Sequence, residues 1–269
     1  MKIGKIFERE RVEYYGAVSY SELAVINKRA EGRIRFTPKS VIVFLLPYYL
    51  EECENISKYA ASRDYHIAVK EITARIIESL SAELPNNQFM GFGDISPIDE
   101  RYAAAKAGLG VIGDNGLLIN EKYGSYVFLC EIITDAAVSD LGGEVNGQIQ
   151  GCLHCGKCKA ACPTGILRGD GESCLSEITQ RKGELSDYEL GLMRKCGTVW
   201  GCDICQDVCP LNKKRTKTPI EFFYEKRVQR LTEELLASLS DDEFSERAFS
   251  WRGRGVLKRN LENERKKDS

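Results

Sequence analysis

Apolar and polar positions alternate with different periods along the chain, and each change of period marks an element. The run SVIVFLLPYYL (40–50) is continuously apolar, β-branched at its start and ends at Pro47, which predicts a buried strand. In the following YAASRDYHIAVKEITARIIESLSAEL, residues Ile67, Val69, Ile72, Ile76, Ile77 and Leu80 repeat with the period of an amphipathic helix, ended by Pro85 and two asparagines. Residues 86–99 are expected to be a glycine-containing loop carrying Asp94 and Pro97. ERYAAAKAGLG reads as a short helix closed by Gly108 and Gly110, because glycine permits the positive φ that ends helices. GLLIN and SYVFLCEIITD (125–135) are further strand candidates separated by the turn-like EKYG.

The flanks carry weaker patterns. Residues 1–35 are polar and amphipathic without firm signals, AAVSDLGGEVNGQIQG reads as a linker, and the chain from Thr218 onward looks helical, ending in a charged, frayed ENERKKDS. The pattern therefore predicts an α+β domain over 1–145, a module over 146–215 and a helical tail over 216–269.

Composition narrows the class. The chain has 269 residues, of which 43% are hydrophobic and 29% charged, enough for one enzyme domain and a smaller module. A net charge of −2 gives bulk electrostatics no hold on nucleic acid. MKIGKIFERERVEYYG has no apolar signal core, and the longest apolar run, Val41 to Leu46, falls far short of the ~20 residues that span a bilayer, so a cytoplasmic protein without a membrane segment is expected.

Eleven cysteines in such a chain argue against a disulfide framework. Most are grouped between residues 152 and 209. The first run, Cys152-x2-Cys155-x2-Cys158-x3-Cys162-Pro163, has the bacterial ferredoxin spacing: three thiolates reach one cubane and the fourth turns to another. A structural zinc site is the plainer alternative, but zinc sites usually use separated CxxC pairs. The second run, Cys202-x2-Cys205-x3-Cys209-Pro210, repeats the ending without the first cysteine. By the same exchange Cys209 joins Cys152, Cys155 and Cys158 on one [4Fe–4S] cluster. Cys162, Cys202 and Cys205 then need a fourth thiolate on the second, for which spacing leaves both Cys174 and Cys196 open. Cys53 and Cys130 lie on apolar segments and read as buried structural cysteines. His154, inside the first run, is expected beside a cluster rather than on it. Two cubanes held by one short segment form an electron wire, and the domain before them is expected to receive the electrons.

SVIVFLLPY (40–48), ISKYAASRDYH (56–66), DISPIDERYAAAKAGLGVIGDNGLLIN (94–120), GSYVFLCEIITD (124–135) and GCDICQDVCPLN (201–212), in this order, resemble epoxyqueuosine reductase. The resemblance extends weakly into FSERAFSWRGRGVLKRN. It implies a reductase that uses cobalamin and two [4Fe–4S] clusters to convert an epoxide on a tRNA base to an alkene, fed by an external donor such as flavodoxin or ferredoxin. The implied fold is a nitroreductase-like cobalamin-binding domain followed by the ferredoxin-like module.

The resemblance also supplies Cys174, in GESCLSEIT, as the eighth cluster ligand. It makes Asp94 the proton donor and Asp64 a second acid at the same site, with Tyr65, His66, Arg101, Gly108, Gly110 and Asn115 toward corrin or substrate. A buried site that raises the donor's pKa toward neutrality suits that role. Each residue also has a plainer reading. Asp94 caps a turn before Pro97, Asp64 caps the helix that begins near His66, the glycines end helices and turns, and Arg101 and Lys106 lie on a solvated helix face.

The chain departs from the family pattern where AGLGW-x-GK becomes AGLGVIGDN, so that Val111 replaces an indole and Asp114 a lysine. Cys130 replaces a glycine. The family continues into a C-terminal helical-repeat domain that grips tRNA, whereas this sequence stops after LKRNLENERKKDS. The tail cations Lys213, Lys214, Arg215, Arg252, Arg254, Lys258 and Arg259 are the candidates for phosphate contact, against the plainer reading of a solvated surface. The alternative function is a non-catalytic electron carrier or a cobalamin-reducing partner protein.

Overall fold

A computed structural model describes residues 3–141 and 151–266. The expected boundary at 145/146, most of the linker and the last three residues lie outside the described residues. Helix α1 (Ile3–Arg9) leads into β1 (Tyr15–Ser19), α2 (Lys28–Glu31), β2 (Ser40–Pro47), α3 (Tyr65–Glu83), β3 (Phe89–Gly93), α4 (Glu100–Lys106), β4 (Val111–Ile112), β5 (Leu118–Ile119), β6 (Val127–Thr134) and α5 (Val138–Leu141). The main sheet is antiparallel in the order β1-β2-β6-β3, and β4-β5 form a separate hairpin.

Both faces of the sheet are covered, so β2 is buried at every position and reads as an unbroken apolar run. On one face Ile42, Phe44, Leu46, Cys130 and Ile132 pack with Phe7 of α1 and Ile72, Ile76 and Leu80 of α3. On the other, Val41, Val43, Leu45, Phe92 and Ile133 pack with Ala103, Ala104 and Ala107, around α4. The alternation follows from the two-residue period of a strand.

Strand β3 corrects the expectation of a loop over 86–99. Its FMGFG has no usable alternation because two of its positions are glycines. A Cβ on Gly91 would lie 2.4 Å from Thr73 Cγ2, and one on Gly93 2.5 Å from Val69 Cγ1. Their absence lets α3 lie close against the sheet edge, which brings the start of α3 to the end of β3.

Beyond residue 150 come α6 (Lys157–Ala161), α7 (Leu175–Gln180), α8 (Asp187–Cys196), α9 (Ile204–Asp207), α10 (Glu233–Ser238), α11 (Asp241–Ser245) and α12 (Arg254–Arg265). The tail is no appendage. Val228, Leu231, Leu236, Phe249, Leu257 and Leu261 share a core with Ile56 and Ala60 of the sheet domain and with Val199 and Trp200 of the cysteine module. Buried Asn260 donates to the Thr179 and Val199 carbonyls at 2.7 and 2.8 Å. The expected fraying of ENER is also corrected, since those residues form the last turn of α12. No helix among the described residues is long and apolar enough to cross a membrane.

Candidate active site and cluster module

The two cysteine runs interleave. His154 and Gly156 adopt positive φ (48° and 70°), wrapping the first run into a tight loop that enters α6. Cys162 caps the far end of α6, while Cys205 lies on α9 and Cys209 just beyond it. Helices α6 and α9 pack together. Cys152, Cys155, Cys158 and Cys209 line one small cavity, and Cys162, Cys174, Cys202 and Cys205 line a second, larger one. Of the two candidates that spacing left open, Cys174 at the start of α7 reaches the larger cavity, and Cys196 at the end of α8 lines neither. Cys53 and Cys130 lie in the sheet domain. Burial pushes the Cys53 thiol up to about 11 and the Cys130 thiol well above its ordinary value, as befits unreactive packing residues. His154 Nδ1 lies 2.8 Å from Asp114 Oδ1, beside Cys152.

The acidic residues meet at the junction that the two glycines create. Asp64 caps α3, its carboxylate accepting from the His66 amide at 3.0 Å, as the helix-cap reading expects. The same oxygen lies 2.8 Å from His66 Nδ1, and His66 Nε2 lies 3.3 Å from Asp94 Oδ2. An imidazole bridged between two carboxylates is stabilised as imidazolium. Its hydrogen bonds to Asp64 and then Asp94 raise His66 to about 9. Asp94 follows Gly93 with φ 64° and stays half-exposed. The His66 hydrogen bond holds its carboxyl below the ordinary carboxylate range, which reverses the expectation of an acid raised by burial. Burial does raise the carboxyl of Glu100, to about 7. Sequence reasoning passed over it and its neighbour Glu131, although an acidic residue inside the apolar run FLCEIIT was a visible signal.

Tyr65 stacks on Phe128 and on His66, with ring centroids 4.1 Å apart in both pairs. It lines the larger cavity, of about 520 Å³, together with Tyr48, Phe128, Leu117 and Asn115. An adjoining cleft of about 410 Å³ carries His66 and Asp94 with Arg33 and Lys70. Three expected cofactor contacts also have roles in the scaffold. Arg101 binds Asp99 and the Gly116 carbonyl, and Gly108 ends α4 at φ 76°. Gly110 leaves room for the Ile119 carbonyl, which a Cβ would approach to 2.6 Å. Lys106 pairs with Glu22 at 2.6 Å.

Known proteins carry the same combination. Residues 33–94 match the family described as epoxyqueuosine reductase QueG (DUF1730), and residues 151–212 match the 4Fe-4S double cluster binding domain. An epoxyqueuosine reductase of Leadbetterella byssophila is 34% identical over 221 residues, covering 78% of this chain and 71% of the relative. That of Cyclobacterium marinum is 35% identical over 213 residues, 74% of this chain and 67% of the relative. The chain belongs to the epoxyqueuosine reductase family. It is thus an oxidoreductase with an iron–sulfur module, and the electron-carrier alternative is set aside. The structure of the epoxyqueuosine reductase from Streptococcus thermophilus superposes with a TM-score of 0.79 at 25% identity, over 99% of this chain and 80% of that one. A family structure with an epoxyqueuosine-modified tRNA-Tyr stem loop shares the fold, with a TM-score of 0.73 at 22% identity over 98% of this chain and 80% of that one.

Proposed function

We propose that this chain reduces epoxyqueuosine to queuosine in tRNA, in the cytoplasm, using two [4Fe–4S] clusters and cobalamin with electrons from a flavodoxin- or ferredoxin-type donor. The observation that carries the reading is the larger cavity, where Cys162, Cys174, Cys202 and Cys205 face a wall of Tyr48, Tyr65, Phe128 and Leu117. Those residues fit the groups: a four-thiolate donor set lies beside a flat, apolar ledge suited to a macrocycle. Cys152, Cys155, Cys158 and Cys209 would hold the other cluster. On this reading the sheet domain is the nitroreductase-like cobalamin domain, over 1–145, with the cluster module over 146–215 and the tail over 216–269. The bound corrinoid would supply the electron-rich metal that opens the epoxide, with the clusters as its source of electrons.

The chain's own residues manage protons. Reduction of an epoxide to an alkene consumes two electrons and two protons and releases water. His66 holds a proton between Asp64 and Asp94 at neutral pH. Proton transfer across the His66 Nε2–Asp94 Oδ2 contact protonates Asp94, which donates to the departing oxygen. Solvent reprotonates half-exposed His66 so that the same path delivers the second proton and the oxygen leaves as water, while Asp64 holds the imidazole ring in place. Tyr65 and Asn115 shape the wall toward the clusters.

For tRNA, the cleft beside Asp94 offers Arg33 and Lys70 to phosphate. Several tail cations are engaged within the fold: Arg215 with Glu52, Arg254 with the Leu236 and Leu239 carbonyls, and Arg259 with the Arg181 and Gly183 carbonyls.

Anaerobic purification with iron, sulfide and cobalt assays, followed by incubation with epoxyqueuosine-containing tRNA, tests the reading. About eight irons, stoichiometric corrinoid uptake and conversion of the tRNA support it. Eight irons with no corrinoid affinity would overturn it.

A further inference from the structure

Behind the Asp94 loop lies a second acidic group that the proton path above does not use. Glu131 is central in β6, opposite Val43 of β2 and Phe92 of β3, and is fully buried on the face covered by α4. Neither of its carboxylate oxygens has a hydrogen-bond partner, nor does Oε2 of Glu100, in the first turn of α4 above it. Ser96, also buried, is its polar neighbour and favours the charged form of Glu131, against burial and the charge of Glu100, which disfavour it; the Ser96 hydroxyl also accepts from the Ile98 amide at 3.3 Å. Three buried carboxylate oxygens without hydrogen-bond partners, two on Glu131 and one on Glu100, disfavour ionisation of both groups together, because burial strips their solvation and each charge repels the other. The charged groups around Glu100 are Asp94, Arg101 and Asp99, and Glu131 feels Glu100 and Asp99. Asp94 itself faces His66 and Tyr65.

We propose that Glu131 holds the proton of this buried pair and Glu100 its negative charge, and that this charge sets the proton affinity of Asp94 against the pull of the His66 imidazolium. Burial raises Glu131 well above its ordinary value and Glu100 only to about 7, which supports this division of roles. Negative charge on Asp94 raises Glu100, and linkage makes the effect mutual: ionised Glu100 raises Asp94. Glu100 and Glu131 are positioning residues for the acid. The role of Asp94 as that acid rests on the function proposed above; the proton-sharing pair does not.

Infrared titration of the reconstituted holoprotein tests this without turnover. A protonated carboxylic-acid carbonyl band is expected to persist at pH 8.5, well above the Glu100 value of about 7, and should vanish at that pH in Glu131→Gln. The titration of Asp94, assigned with Asp94→Asn, should fall by about one pH unit in Glu100→Gln. It should stay in place in Glu131→Gln, which mimics the neutral acid, and recover in Glu100→Asp. The pH–rate profile with modified tRNA should shift in parallel. Absence of the band at pH 8.5, or the same Asp94 titration in Glu100→Gln as in wild type, overturns the proposal. Should Glu100→Gln not fold, persistence of the band in Glu131→Gln overturns it equally. An intact band and an Asp94 shift in a protein that leaves the tRNA unconverted would count against the proposed function alone.

Discussion

At the scale of single residues, the site is governed by His66. Its partners Asp64 and Asp94 raise it from its ordinary value of 6.5 to about 9. A raised folded-state value stabilises the fold fully below the unfolded value and loses that effect as pH rises through the folded one. Wild type should therefore lose stability relative to His66→Gln as pH climbs from 7 past 9, measured by thermal unfolding at each pH. The same proton serves the reaction, so turnover should fall on the alkaline side of about pH 9. Asp94→Asn should lower turnover by about 100-fold or more while leaving cluster content unchanged. Unchanged turnover would show that the departing oxygen takes its proton elsewhere.

At the scale of elements, two contacts set the geometry. The first is the seam between α3 and β3. An alanine at Gly91 or Gly93 would press a methyl group into Thr73 or Val69. Each substitution should cost about 1–3 kcal/mol by overpacking and lower turnover by moving His66 off Asp94. The second is the Lys58 clasp between the sheet domain and α9. The buried Lys58 ammonium pairs with Glu52 at 3.0 Å, Asp207 at 2.8 Å and Asp203 at 3.5 Å. Asp203 also accepts from the Ser57 hydroxyl at 2.5 Å and the Lys58 amide at 2.7 Å. Removing the cation strands a buried carboxylate, so Lys58→Met should destabilise by about 3–5 kcal/mol in chemical denaturation. Helix α3 was legible from its periodicity because one face meets one layer. Strand β3 was not, because the close approach that makes it useful removed the side chains that would have marked it.

At the scale of the whole molecule, the tail and the cysteine module complete one another. The core that joins Ile56, Trp200, Phe249 and Leu257 locks three stretches of chain together, so the larger cavity is walled by parts distant in sequence. Iron content separates the two candidates for the eighth ligand. Cys174→Ser should lower iron from about eight to about four per chain, whereas Cys196→Ser should leave it unchanged. The reverse result would reassign the second cluster.

Local spacing by itself determined the two cysteine runs, since a ferredoxin-type loop is made of residues within a few positions of each other. It also determined β2, β6 and α3, whose burial follows from patterns inside the element, and offered the cap at Asp64 as one of two readings. What only the tertiary structure decided depends on residues far apart in the chain. Cys174, which spacing left open against Cys196 and only the family resemblance singled out, lines one cavity with Cys162, and His66 meets Asp94 because two glycines close a helix onto a strand. Glu131 feels the charge of Glu100 because α4 packs on the middle of the sheet. Protonation of such groups follows from burial and neighbouring charge, and both exist only once the chain has folded.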